Sequence, residues 1–149
     1  MTEPQLPVLD EHRIVVDADA ETAWRAVNEV ADRVSGRVAT GYAWAVGAAD
    51  WKATGPRPLA EGSTVPGFRV VAAEPPRLLA LAGRHRFSEY RLTFRLEPGA
   101  EGQTLIRAES RARFPGVLGA GYRLLVVGSG GHVFSMRRML GTIARLANG

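Results

Sequence analysis

The sequence predicts an α+β domain in which a curved antiparallel β-sheet wraps a long C-terminal α-helix. Three observations carry that prediction. Ser88 to Glu97 sets Ser, Tyr, Leu, Phe and Leu against Glu, Arg, Thr, Arg and Glu in strict alternation. Thr104 to Phe114 alternates again, with Ile106, Ala108, Ser110, Ala112 and Phe114 on one side and arginines and Glu109 on the other. A period of two marks a strand with one buried and one wet face. From Leu118 to Ala147 apolar residues instead recur at spacings of three and four, which is the stripe of a helix.

The remaining elements follow in chain order. Residues 1–9 read as a flexible arm, and residues 10–149 as a single domain. The β-branched run His12–Val16 is a strand. Asp19 is a suitable N-cap for a helix whose apolar face comprises Ala20, Ala23, Trp24, Val27, Val30 and Ala31. Between Arg33 and Val65 glycines and prolines break every period, and a strand over Thr40–Val46 competes with a helical turn. Phe68–Ala73 is a strand, Glu74-Pro75-Pro76-Arg77 a turn, and Leu78–Ala82 the next strand. Pro98–Gly102 turns the chain between the two alternating strands. On their wet faces, acidic and arginine residues are expected to pair across strands. The cluster Gly128-Ser129-Gly130-Gly131 is expected to bend or interrupt the terminal helix, since each glycine costs about 1 kcal/mol there.

This order of elements resembles the helix-grip fold of the START and pollen-allergen-like (SRPBCC) superfamily, including bacterial polyketide cyclase and dehydrase-like proteins. The resemblance lies in the opening strand running into Asp19-Ala20-Glu21-Thr22-Ala23-Trp24, in the Phe68–Ala73 strand with its double-proline turn, and in the closing amphipathic helix. It covers most of the chain outside residues 33–65. It implies a fold that serves carriers, receptors, cyclases and interaction modules alike, so activity must be argued from the site.

The expected site is an interior cavity. Ala80, Ala82, Ala108, Ser110 and Ala112 are all small and read as inward-facing, opposite a helix that carries three glycines. Because interiors close-pack, that room is taken up by bulky neighbours, by close backbone approach or by a ligand. The candidate lining from the sheet is Ser88, Tyr90, Ala108, Ser110 and Ala112. From the helix it is Tyr122, Leu125, Ser129, His132, Val133 and Met136. A small hydrophobic molecule is the expected ligand, whether bound and carried or converted by a cyclase, aromatase or dehydratase-like reaction. For such chemistry His132, whose titration range suits proton transfer, and Tyr90 are the candidate catalytic residues. A protein-interaction module with a filled core is the competing reading.

Several classes fall away. The chain has no cysteine, and His12, His85 and His132 lack metal-ligand spacing, so no metal or other cofactor is expected. The Gly128–Gly131 cluster completes neither phosphate-loop pattern. The net charge of +4 rests almost wholly on arginine, Lys52 being the single lysine. With no recognised module, it gives no nucleic-acid partner. The acidic, proline-bearing start lacks a secretory pattern and no run is apolar enough to span a membrane, which makes the cytoplasm the expected compartment. The oligomeric state is left open, a dimer included.

Overall fold

The computed structural model describes residues 6–33 and 37–149. In order they form β1 (Val8–Val16), α1 (Ala20–Asp32), α2 (Arg37–Ala45), β2 (Thr64–Val65), β3 (Phe68–Glu74) and β4 (Leu78–Arg84). Then come β5 (Glu89–Pro98), β6 (Thr104–Arg113), α3 (Gly116–Arg123), a π-helical turn (Leu124–Gly128) and α4 (Gly131–Asn148). The strands make one antiparallel sheet in the order β1-β6-β5-β4-β3-β2, a meander whose last strand pairs with the first. The inner face of this sheet packs against α1 and α4.

The sequence explains most of this. Asp19 caps α1 by accepting the Thr22 N–H at 2.8 Å, and those hydrogen bonds hold its carboxyl below the usual range. Ala23, Trp24, Val27, Val30 and Ala31 turn inward from α1, and Met136, Leu140, Ile143 and Ala147 do so from α4. They meet Val16, Leu79, Phe94 and Ile106 of the sheet in one core. The undecided stretch resolves as helix over Arg37–Ala45, with residues 34–36 outside the described residues.

Four expectations need correction. First, β1 starts at Val8, so Val8 and Leu9 belong to the sheet; the arm's residues 1–5 lie outside the described residues. Second, the parity of β4 is opposite to that expected. Leu79 and Leu81 join the core, whereas Ala80 and Ala82 lie on the outer face beside Thr93, Arg91 and Arg111. A run of five apolar residues has no alternation to fix its register, and the larger side chains took the core face.

Third, opposite charges do meet across strands on the outer face, but mostly on the diagonal: only Glu89 and Arg113 of β5 and β6 stand directly opposite with opposite sign. Arg91 faces Arg111 and Arg95 faces Arg107, while Arg107 reaches diagonally to Glu97 at 3.2 Å. Fourth, the terminal helix is interrupted at the glycine cluster as expected, but the apolar stripe does not carry through the break. The π turn widens it, Ser129 Oγ donates back to the Leu125 carbonyl, and Gly130 adopts a left-handed φ of 81° before α4 restarts. The apolar stripe predicted through Leu118, Leu125 and Ser129 therefore faces solvent, whereas from Met136 onward it is buried as expected.

Candidate functional site

Between the inner sheet face, α2, α3, the π turn and the first half of α4 lies a cavity of about 390 Å³. Its walls follow from the corrected geometry. β5 and β6 contribute Tyr90, Leu92, Ser110 and Ala112 from alternate positions, the π turn contributes Val126 and Val127, and α4 contributes His132, Ser135, Met136 and Met139. Tyr42, Ala43, Val46 and Ala48 close it from α2 and the segment after it, and Phe68 closes it from β3.

Seven of the expected residues line this space: Ser88, Tyr90, Ser110, Ala112, Tyr122, His132 and Met136. Four do not. Ala108 is fully buried in the core. Leu125 and Ser129 are exposed, because the π turn rotates their face outward and brings Val126 and Val127 in instead. Val133 is half-buried outside the lining.

The polar groups converge in two places. At the β4–β5 turn, the Phe87 N–H donates to His85 Nδ1 at 3.1 Å, so the neutral ring carries its proton on Nε2, which lies 3.1 Å from Ser88 Oγ. Burial lowers the His85 pKa, which favours the neutral ring. His85 packs edge-on against Tyr122 at 4.9 Å and at a tilt against Tyr90 at 5.4 Å, while Phe87 stacks on Tyr122. The Tyr90 hydroxyl donates to the Gly67 carbonyl at 2.5 Å, and burial pushes its pKa well above the usual phenol range. Its proton is thus already committed, which removes it as a free donor to a ligand carbonyl.

Tyr122 and Tyr42 join hydroxyl to hydroxyl at 2.5 Å. Burial first, then this bond, raises the Tyr122 pKa above the usual phenol range. Two hydroxyls sharing one hydrogen bond leave one O–H over, and that proton is available to an acceptor in the cavity.

At the other place, His132 Nε2 lies 3.2 Å from one oxygen of Asp10, and His12 Nε2 lies 3.1 Å from the other. Asp10 thus sits behind a cavity-lining imidazole and fixes its orientation, the relation of a carboxylate to a general base. The expectation from sequence contained His132 but not Asp10, His12, His85 or Tyr42. Asp10, His12, Ile14 and Val16 do share one face at period two, a signal that shows only when the strand is taken from Val8. Among the described residues no group of three His, Asp or Glu side chains is arranged to hold a metal ion.

No protein-family profile and no curated protein matches the chain. Solved structures do match it. CalU16 from Micromonospora echinospora superposes with a TM-score of 0.56 at 19% identity over 93% of this chain, which spans 65% of CalU16. A conserved protein from Geobacillus kaustophilus gives 0.56 at 14% identity, covering 92% of this chain and 93% of that one. Truncated norcoclaurine synthase from Thalictrum flavum gives 0.58 at 12% identity, covering 97% of both chains. The chain has the helix-grip fold. At these identities the likeness concerns fold alone, and in this helix-grip domain the gripped element is α4, with the cavity at its N-terminal half.

Proposed function

We propose that this helix-grip protein binds a small hydrophobic molecule between the sheet and α4. The observation that carries the reading is the 390 Å³ cavity, whose walls are mainly Leu, Val, Met, Ala, Pro and aromatic rings, with few polar groups. Ligand sites of ~300–1,000 Å³ are lined in this way. Water would gain little there, because most wall atoms offer it no hydrogen bond. The spare proton of the Tyr42–Tyr122 pair and the Ser88 and Ser110 hydroxyls would orient an oxygen-bearing ligand. Aromatic edges from His85, Tyr90, Phe68 and Phe114 favour a planar or ring-containing one.

A thermal-shift screen against fatty acids, sterols, flavonoids and aromatic polyketides tests this. A ligand at 100 times its Kd adds ~2.7 kcal/mol, or roughly 5–10 °C for a domain of this size. Replacing Ser110 with Trp should abolish the shift by filling the cavity. A shift that survives that replacement would place the ligand elsewhere and sink the reading.

One observation favours catalysis in the same cavity: the His132–Asp10 pair. A base held by a carboxylate can accept a proton from a bound carbon or hydroxyl acid as the Tyr42–Tyr122 proton stabilises the developing oxyanion. Norcoclaurine synthase is by its name an enzyme, so the helix-grip fold carries chemistry as well as binding. The expected mark of catalysis is a ligand that His132→Ala still binds but no longer converts.

A further inference from the structure

The helix formed by α3 and the π turn is apolar on two sides. Its inner side carries Gly119, Tyr122 and Val126. Gly119 is buried, and an added Cβ there would stand 2.7 Å from the Phe114 carbonyl carbon and 3.1 Å from the Phe87 oxygen. That close approach fixes which side faces in. Its outer side presents Val117, Leu118, Leu124 and Leu125 at spacings of seven, two turns apart on one face. These four are 90, 72, 74 and 70% exposed, and Phe134 at the start of α4 is 66% exposed. An all-round apolar helix belongs in a core or against a nonaqueous partner. Contiguous exposed apolar surface of this kind marks an interaction site.

Charge identifies the partner. Residues 111–149 contain six arginines and no Asp or Glu, whereas residues 1–110 hold thirteen basic and fifteen acidic residues. Arg123, Arg137 and Arg138 lie on α3 and α4, are exposed, and form no ion pair among the described residues. Arg123, which adjoins Leu124 and lies over the Phe114 ring, and Arg137 and Arg138, one turn beyond Phe134, disfavour a second copy, which would bring like charges together. Four protruding aliphatic side chains with Phe134 as the one ring among them make no track on which successive nucleobases could stack. Aliphatic residues set among arginines fit the headgroup boundary of an anionic bilayer, which receives leucines of any shape and attracts each cation. Among the described residues no helix is long and apolar enough to cross a membrane, and the contact argued here is a peripheral one.

From this surface we infer that the α3–π-turn face docks the protein on anionic lipid. The docking rests on the surface alone. Its purpose rests on the ligand reading: Tyr122, Val126 and Val127 of the same segment wall the cavity, so the docked element is also the wall through which an apolar ligand would enter from the bilayer.

Cosedimentation of the ligand-free full chain with phosphatidylcholine vesicles, with and without about one-third phosphatidylglycerol, tests the inference. The expected result is binding to the anionic vesicles that weakens with salt. Leu124→Glu with Leu125→Glu should lower it at least tenfold while leaving the melting temperature near wild type. Arg123→Gln and Arg137→Gln should each lower it about fivefold. Arg95→Gln, on the outer sheet face, should leave it unchanged and controls for net charge.

Three results would overturn the inference. The first is no sedimentation at low salt. The second is a dimer in light scattering that the leucine changes disperse. The third is equally tight binding to polyglutamate or single-stranded DNA that ignores the leucine changes. Because no ligand is present, failure here leaves the cavity reading standing, and an empty thermal-shift screen leaves the docking standing.

Discussion

Gly83→Ala is the sharpest perturbation of the site. Gly83 lies on β4 directly opposite Tyr90, and a Cβ there would stand 2.0 Å from the Gly67 oxygen and 2.6 and 2.8 Å from two carbons of the Tyr90 ring. No real Cβ sits so close, so the ring and the β2–β3 turn carrying Gly67 must move apart. The same movement breaks the bond from the Tyr90 hydroxyl to the Gly67 carbonyl. Overpacking costs about 1–3 kcal/mol and a lost hydrogen bond about 1 kcal/mol. The expected loss is therefore ~2–4 kcal/mol, read as a lower urea midpoint at unchanged slope. Tyr90→Ala removes the ring contacts, so the double variant should lose less than the sum of the two single changes, by about 1 kcal/mol or more. Gly41, in α2, serves as the control of opposite sign. Nothing lies within 4 Å of an added Cβ there, and Gly41→Ala should stabilise by about 0.5–1 kcal/mol. A Gly83→Ala protein within about 0.5 kcal/mol of wild type would refute the close-packing argument.

Two further outcomes follow from buried polar groups. His85 should titrate below the usual histidine range of about 6.5. Its contribution is then complete above the unfolded pKa and is lost as pH falls from there toward the folded value, because the unfolded chain binds the proton first. Proton titration by NMR, with His85→Gln as the comparison, checks the sign, and a folded value above 6.5 contradicts it. Asn28 is buried in α1, donates to the Trp24 carbonyl at 3.0 Å, and leaves its Oδ1 without a partner. Asn28→Leu should therefore be neutral or stabilising by about 1–2 kcal/mol in thermal unfolding, and clear destabilisation would mean that Oδ1 is satisfied.

The fold was legible where the sequence carries a clean period. β5, β6 and α1 are each amphipathic along their whole length, so burying one face leaves a single solution. β4 was legible as a strand but not in its parity, since Leu78 to Ala82 offers apolar atoms to both faces. The site was legible in part, and the losses have specific causes. His85 and Ser88 meet only because the β4–β5 turn folds the chain back, pairing the His85 N–H with the Ser88 carbonyl at 2.9 Å. Asp10 and His132 are 122 residues apart and meet only because β1 closes the sheet beneath α4.

The π turn links these misses to the exposed surface. In an unbroken α-helix, Leu118, Tyr122, Leu125 and Ser129 would share the stripe that continues through Met136, and the same leucines would fill the room beside Ser110 and Ala112. One widened turn, followed by the left-handed Gly130, separates the two halves. The second half keeps the core stripe. The first half turns Tyr122, Val126 and Val127 toward the sheet and Leu124 and Leu125 to the outside. Removing the interruption should therefore change two properties at once. Replacing Gly128 and Gly130 with alanine favours continuous helix. It should draw the leucines inward, shrink the cavity, and weaken ligand shifts and vesicle binding together. If vesicle binding fell while ligand shifts stayed whole, the cavity would not depend on the break, and the coupling between wall and docking face would be wrong.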